Sequence, residues 1–489
     1  MSSIPGSQFI ASTPTQSVNA VETSDGNNLP APTPGVFNLE VWTGPAGSAP
    51  TTPAPGYDGL AVLSDGGQEL DMIWGRYAIT DAGTGVDSIS VHGDFESVSG
   101  GAANVTINLY GTADVANGGG QDTINVYGNG DIVNGAGDDS ITVYGIVDQV
   151  NGGPGADTIT VYNSYDTVLG GSGPETIAVF GKGEEVIGGS GADSITVAGN
   201  YDTVLGGSGA ETIAVFGQGE EVIGGSGADS ITVSGNYSTV LGGGGPETIA
   251  VFGQGEEVIG GTGADSITVS GNYNTAIGGS GADTITASGL GNLVDGGTGS
   301  DTMTVFGLYD TVNGGTGADV ITVFGQGDEV SGGTGTDSIT VFGDYDTTTG
   351  GTGPDTIGVY GSGDSVAGGS GQDSITVYGN YDTVSSGGGA DTVDLNGIGN
   401  TVQLGTEPTS GGSLINLSGT FDTVDDGPNT YQDTVVGFDH AAGDTIHLTT
   451  DTVANSAQVN GGADTLVTLS DGSTILLKGV THIDSTFFS

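Results

Sequence analysis

The sequence predicts an all-β fold: a right-handed parallel β-roll, or β-solenoid, of 18-residue coils with an N-terminal cap or arm and a C-terminal β cap. Three observations predict it. From Gly152 to Gln403 the chain repeats with a fixed 18-residue period. Each repeat opens on a glycine-rich turn ending in an acid, as in Gly152-Gly-Pro-Gly-Ala-Asp157. Between turns run short stretches of alternating polar and aliphatic residues, the period of a strand with one buried face. A fixed short period implies stacked coils, because a single coil cannot bury its apolar face alone.

Residues 1–81 read as a Pro/Ser/Thr-rich arm and N-terminal cap, with Pro30, Pro32, Pro34, Pro50, Pro53 and Pro55 punctuating the arm. Two apolar pieces interrupt or follow it, Val36–Trp42 and Gly59–Leu63 running on to Met72–Ile79, and they carry both Trp residues. They either cover the first open coil or serve assembly and surface docking.

Residues 82–403 read as a roll of 18 coils, starting at 82, 100, 117, 134, 152 and 170 and then at the regular 18-residue interval to 386. The coils at 100 and 117 are one residue short. Each reads turn, strand, turn, strand. In Asp193-Ser-Ile-Thr-Val-Ala-Gly199, alternation sends Ile195 and Val197 inward and Ser194, Thr196 and Ala198 outward. Val204 points inward from the second strand. A 36-residue period, in which Asp-bearing and Glu-bearing coils alternate, is superposed from Gly152 to Ile277 and reads as duplication. Residues 404–489 read as a C-terminal cap and secretion signal. There Val435–His440, Gly443–Leu448, Asp464–Leu469 and Thr474–Leu477 are expected as antiparallel strands.

Composition narrows the function. The 489 residues hold 59 acids against 3 bases, Arg76, Lys182 and Lys478, for a formal charge of −56. Such a chain repels itself when compact unless cations neutralise it. Three bases cannot neutralise a phosphate lattice, so nucleic acid and anionic membranes are poor partners, and none is expected. No cysteine is present, which removes disulfides and thiolate metal sites. No apolar run is long enough to span a membrane, which takes about 18 residues or more. Met1-Ser-Ser-Ile-Pro-Gly6 lacks the start of a cleaved signal peptide.

The turns carry the chemistry. Glycine permits the sharp bend, the acid supplies charge, and calcium takes 6 to 8 oxygens at about 2.3–2.6 Å. One turn offers too few oxygens, so the expected ligand is multiple Ca2+ ions stacked between successive coils. The expected ligands are Asp87, Asp122, Asp139, Asp157, Glu175, Asp193, Glu211, Asp229 and Glu247. Asp265, Asp283, Asp301, Asp319, Asp337, Asp355, Asp373 and Asp391 continue the series. The coil at 100 is the exception, reading Gly-Gly-Ala-Ala-Asn-Val105. The opposite turn lacks the double glycine and varies through Asp166, Glu184, Asp202, Glu220, Ser238, Glu256, Asn274, Asn292 and Asp310. Ser and Asn there suggest one calcium ladder along one edge, the second edge being metal-poor or metal-free.

These repeats resemble the RTX (repeats-in-toxin, haemolysin-type calcium-binding) family over about two thirds of the chain. That family's roll carries G-G-x-G-x-D on both edges, so this chain departs from it on alternate nonapeptides. A one-edged ladder also resembles the calcium-stabilised repeats of a bacterial ice-binding adhesin. The tail from Val436-Gly-Phe-Asp-His-Ala-Ala-Gly-Asp-Thr-Ile446 resembles the end of serralysin-like proteases, and Ile483–Ser489 is similar to their type I secretion signal. The resemblance implies export by type I secretion machinery and folding on calcium outside the cell.

No catalytic site is expected. H-E-x-x-H and G-x-S-x-G are both missing, and His92, His440, His447 and His482 are isolated. The outer sheet face presents Thr158, Thr176, Ser194 and Thr212, then Thr160, Thr196, Thr232 and Thr268. Beside them runs an aromatic column of Tyr162, Phe180, Phe216, Phe252, Phe306, Phe324, Phe342, Tyr360 and Tyr378. It is ordinary sheet surface, a seam for lateral association, or a binder of ice or carbohydrate. The leading expectation is a secreted, calcium-dependent structural protein of the bacterial cell surface or extracellular matrix. It would self-associate into a lattice or filament, as a surface-layer, biofilm or filament subunit. The alternative is a calcium-stabilised adhesin whose flat Thr/aromatic face binds ice, a cell-surface polysaccharide or another surface.

Overall fold

Every repeat lays one strand into each of two parallel sheets. The computed structural model describes residues 88–94, 96–100, 104–405, 412–425, 432–449 and 451–488 with their side chains, plus Ala31, Pro32 and Ala54. Asp87 and the strands Val18–Thr23, Phe37–Trp42, Gly59–Leu63, Glu69–Trp74 and Ala78–Thr80 are described as backbone. In one sheet Ile177, Ile195 and Ile213 are register partners, as are Val179, Val197 and Val215. In the other sheet Val186, Val204 and Val222 align. All of these are buried, while Ser194, Thr196 and Ala198 keep solvent contact, so the predicted alternation holds. β-Branched residues stiffen the strands, and the intervening glycines stop them. The interior is a narrow apolar seam between two sheets.

The chain divides into two compact units, Met1–Gly244 and Gly245–Ser489, the division falling within the repeats. In the first unit the N-terminal strands join the repeat sheet. Val18–Thr23 pairs in parallel with Phe37–Trp42, and that strand with Gly59–Leu63. Gly59–Leu63 pairs antiparallel with Glu69–Trp74, which lies parallel to Asp87–Val91. Ala78–Thr80 starts the second sheet against Ser97–Ser99. Val18–Thr23 is therefore a strand inside the segment expected as an arm. Both Trp side chains and the turn residues at 82–86 and 101–103 lie outside the described residues.

In the second unit the parallel stack runs past Gln403, where the repeat period fades. Leu414–Thr420 pairs in parallel with Thr392–Ile398, Leu414 standing opposite Thr392, and Thr423–Asp425 pairs with Thr401–Gln403. Two of the four pieces expected as antiparallel strands instead form a further coil. Gln432–Val436 and Thr445–His447 are parallel to the strands before them, with Val435 on Ile415 and Ile446 on Val424. Inward aliphatics at matching places extend the seam, and extra residues between strands are absorbed in the turns. The antiparallel cap is the meander Val453–Val459, Asp464–Leu469 and Thr474–Leu477. Its last strand lies parallel on Gln432–Val436.

Because the seam is one side chain wide, a truncated aliphatic has few neighbours able to close the gap. Ile195→Ala should cost about 2–5 kcal/mol and Ile195→Val about 0.5–1.5 kcal/mol in denaturant unfolding. Equal costs for both would show that the column is not close-packed.

Candidate functional site: two buried carboxylate columns

The acids of the first edge point into the solenoid. Sixteen of the seventeen candidate ligands, Asp122 through Asp391, are at most 3% exposed; the side chain of Asp87 lies outside the described residues. Each sits where a turn feeds a strand, and where the next acid is Asp the two are joined backbone to side chain. The Glu175 N–H donates to Asp193 Oδ1 at 2.9 Å, and the Ser194 N–H donates to the Glu175 carbonyl at 2.8 Å. The same bond runs from the Asp139 N–H to Asp157 Oδ1 at 2.7 Å and from Asp283 to Asp301 at 2.8 Å. A carboxylate of one coil thus completes the backbone of the coil before it.

The second oxygen is placed differently. Oδ2 of Asp157, Asp193, Asp229, Asp265, Asp283 and Asp301 is buried without a hydrogen-bond partner. At Asp122 and Asp139 the turn's own N–H groups reach this oxygen, as the Ala136 N–H does to Asp139 Oδ2 at 3.0 Å, whereas Glu175 takes the Gly173 N–H on Oε1 and leaves Oε2 without a partner. The first glycine of the double-glycine turn shapes this pocket. A Cβ on Gly278 would lie 2.5 Å from both Asp283 Oδ2 and the Gly296 carbonyl oxygen. Glycine is required there so that a carboxylate oxygen and the next coil's carbonyl can approach the same stretch of chain.

The opposite edge is built the same way. Asp131, Asp148, Asp166, Glu184, Asp202 and Glu220 are at most 2% exposed, and the Asp148 N–H donates to Asp166 Oδ1 at 2.7 Å. Where the chain carries Asn the bond persists: the Glu256 N–H donates to Asn274 Oδ1 at 2.9 Å, and the Asn274 N–H to Asn292 Oδ1 at 3.0 Å. The position therefore demands an acceptor rather than a charge. A signal was present in the sequence, namely a glycine three residues before most of these acids, as in Gly199/Asp202 and Gly307/Asp310. A Cβ on Gly307 would lie 2.5 Å from Asp310 Oδ2.

Burying like-charged groups in columns raises their proton affinity. On the first edge Asp157, Asp301 and Asp355 are pushed up to about 6, and Glu175 and Glu211 to about 8. On the second, Glu96 and Glu184 rise to about 8, Asp148 and Glu220 to about 7, and Asp166 and Asp310 to about 6. Loss of water is the main cause throughout. Like charges on adjacent coils add to it at Asp148, Asp157 and Glu184, while backbone N–H bonds oppose it.

The donor chemistry suits a hard cation: orphaned carboxylate oxygens and glycine carbonyls, with no sulfur or imidazole among them. Among the described residues no three acidic, His or Cys side chains converge on one point. Turn carbonyls would have to supply most of a calcium shell. The histidines lie elsewhere. His440 bridges the Asp444 carbonyl and the Thr486 hydroxyl, and His447 contacts Asp425 at 3.0 Å.

The outer face is as the alternation predicts, and its aromatics are stacked. Tyr110, Tyr127, Tyr144, Tyr162 and Phe180 form a run with ring centroids 4.8–5.6 Å apart. In the second unit Phe306, Phe324, Phe342, Tyr360 and Tyr378 repeat it at 4.9–5.2 Å. These rings are 37–48% exposed. Comparison with family models finds none that matches this chain, and no curated protein matches it either. No helix among the described residues is long and apolar enough to cross a membrane.

Two outcomes follow from the columns. Each raised carboxyl holds its proton more tightly in the folded chain, so its contribution is fully present below about pH 4 and is lost as pH rises through about 6–8. In chelator the melting temperature should therefore fall between about pH 5 and pH 8; a rise over that interval contradicts the burial described here. Separately, Gly278→Ala should destabilise by about 1–3 kcal/mol, through crowding of the carboxylate. Gly358→Ala, whose Cβ would meet nothing closer than 3.5 Å, should be tolerated, with thermal melting distinguishing the two.

Proposed function

We propose that this chain is a secreted structural solenoid of the cell surface or extracellular matrix whose folded state depends on calcium. One observation carries the reading: two columns of buried acids in which many second oxygens have no protein partner. At neutral pH such columns need protons or cations, and a chain with 59 acids has only 3 bases to supply positive charge of its own. Bound calcium would neutralise the first-edge column and tie each coil to the next. The chain's own residues supply the rest. Glycines clear space for the carboxylates, the backbone N–H groups fix one oxygen of most acids, and the aliphatic seam sets the register. A single site at ten times its Kd adds about 1.4 kcal/mol, so many sites together can dominate stability.

The regular two-sheet repeat supports a structural rather than an enzymatic role. The stacked exposed rings support lateral association into a lattice or filament, since monomers rarely display long apolar stripes. The same rings support the second reading, an adhesin that binds a surface or polysaccharide through its flat face.

The test is circular dichroism and thermal melting near pH 8 in millimolar Ca2+ and in excess EDTA. The β-sheet signal and the cooperative melt should be present with calcium and lost with chelator. Superimposable curves overturn the calcium reading. Electron micrographs of the same samples separate the two roles: sheets or fibres that dissolve on chelation support assembly, whereas monomers that coat a glycan surface support the adhesin.

A further inference from the structure

Strained tyrosines line the second edge. In the first unit Tyr165, Tyr201 and Tyr237 occupy turns at φ 69°, 63° and 62°; in the second, Tyr273, Tyr309, Tyr345 and Tyr381 do so at 58°, 58°, 64° and 62°. That left-handed region suits glycine and costs a bulky residue about 1–3 kcal/mol. On the intervening coils the position is glycine, as at Gly183, Gly219 and Gly327. A Cβ on Gly219 would meet the Tyr201 ring at 2.9 Å, and one on Gly327 the Tyr309 ring at 2.7 Å. The rings of Tyr165, Tyr201, Tyr273, Tyr309, Tyr345 and Tyr381 therefore reach over the glycine of the next coil. The rings are nonetheless 55–72% exposed. The backbone ladder continues through these turns, with the Tyr201 N–H donating to the Gln218 carbonyl at 3.0 Å and the Gly219 N–H to the Asn236 carbonyl at 3.0 Å. Successive rings within a unit thus stand two strand spacings apart, about 9.6 Å.

Two observations say what such a row accepts. Lys182, one of only 3 bases in the chain, holds its Nζ 5.7 Å from the centre of the Tyr165 ring. The edge already displays a cation over a ring, at one position of the row. Exposed Glu185 and Glu221 start the second strands of the glycine-bearing coils in the first unit, so carboxylates alternate with rings. Rings interleaved with acids attract cations and repel anionic polymers. The spacing then selects the shape of the ligand. A polyproline II chain turns every three residues and rises about 3.1 Å per residue, returning every third side chain to one face after about 9.3 Å.

We propose that the tyrosine edge is a docking surface for an extended, polyproline II-like segment of a partner protein that carries lysine or arginine at every third residue. Aromatic rows receive such helices because the segment is pre-extended and loses little entropy on binding. Arginine stacks on the rings while the intervening glutamates hold its charge. The proposal does not depend on which cation stabilises the buried columns.

The test uses the full chain, folded in Ca2+ at physiological ionic strength, and a labelled synthetic peptide of repeated Arg-Pro-Pro triplets read by fluorescence anisotropy. Tyr201→Gly with Tyr237→Gly should weaken binding about tenfold. Glycine already occupies the equivalent turns at Gly183 and Gly219, so this pair should leave the melting temperature unchanged or higher. Lys182→Ala should tighten binding a few fold by freeing the Tyr165 ring. A peptide of equal charge with arginines at alternate residues should bind more weakly. Equal affinity for both peptides, or indifference to the tyrosine substitutions, reduces the interaction to bulk charge and overturns the proposal. So does absence of peptide binding, or tyrosine-dependent binding of neutral cellohexaose in its place.

Discussion

At most coils a turn backbone N–H is satisfied by the side chain of the next coil's turn residue. That bond, donated to Asp, Glu, Asn or Ser oxygen, recurs along both edges, as from Asp114 to Asp131 and from Asp373 to Asp391, and lapses on the first edge at Glu211, whose two carboxylate oxygens accept no hydrogen bond. It fixes the register of neighbouring coils independently of the aliphatic seam, and it forces the acceptor indoors. Buried N–H groups are costly when unsatisfied, so an acceptor is not optional. Charge comes along with the acceptor, since a carboxylate is the short side chain that offers two oxygens, one for the backbone and one to spare. The stability of the fold and its appetite for protons or cations therefore share one cause.

The seam was legible from the sequence and the logic of the edges only in part. Ile195, Val197 and Val204 could be placed inward by alternation alone, and they are buried. The first-edge acids were recognisable because two glycines precede each one. On the second edge, Ser238, Asn274 and Asn292 suggested an edge poor in metal or without it. The structure shows them as neutral acceptors in the same bond, with the Glu220 N–H donating to Ser238 Oγ at 3.4 Å. Sequence composition weighs charge, whereas the backbone counts lone pairs. At the C-terminus, alternation located the strands at Val435 and Ile446 but carries no information on strand direction, which the parallel seam decides.

The outer surface separates into two aromatic systems with different physics. Rings on the strands stack on one another coil by coil from Tyr110 to Phe180 and from Phe306 to Tyr378, as Phe324 on Phe342 at 5.0 Å, whereas Phe216 lies between Ala198 and Ser234 and Phe252 beside Ser270. Rings in the second-edge turns are too far apart to touch and are each supported by a glycine instead. The 36-residue period that reads as a trace of duplication thus leaves a gap beside each tyrosine ring at this edge, and it extends through Tyr309, Tyr345 and Tyr381. Backbone strain at these residues was invisible to pattern reading, because nothing in a Gly-Asn-Tyr-Asp sequence announces the sign of φ.

Alternation of a large ring with a bare backbone also sets a quantum for changing the protein's length. Removing one glycine-bearing coil would bring two tyrosines onto adjacent turns, and a ring would lose the gap it lies across. Removing two restores the pattern. Variants that grow or shrink by whole pairs keep this edge intact, so the natural unit of inheritance here is the doublet.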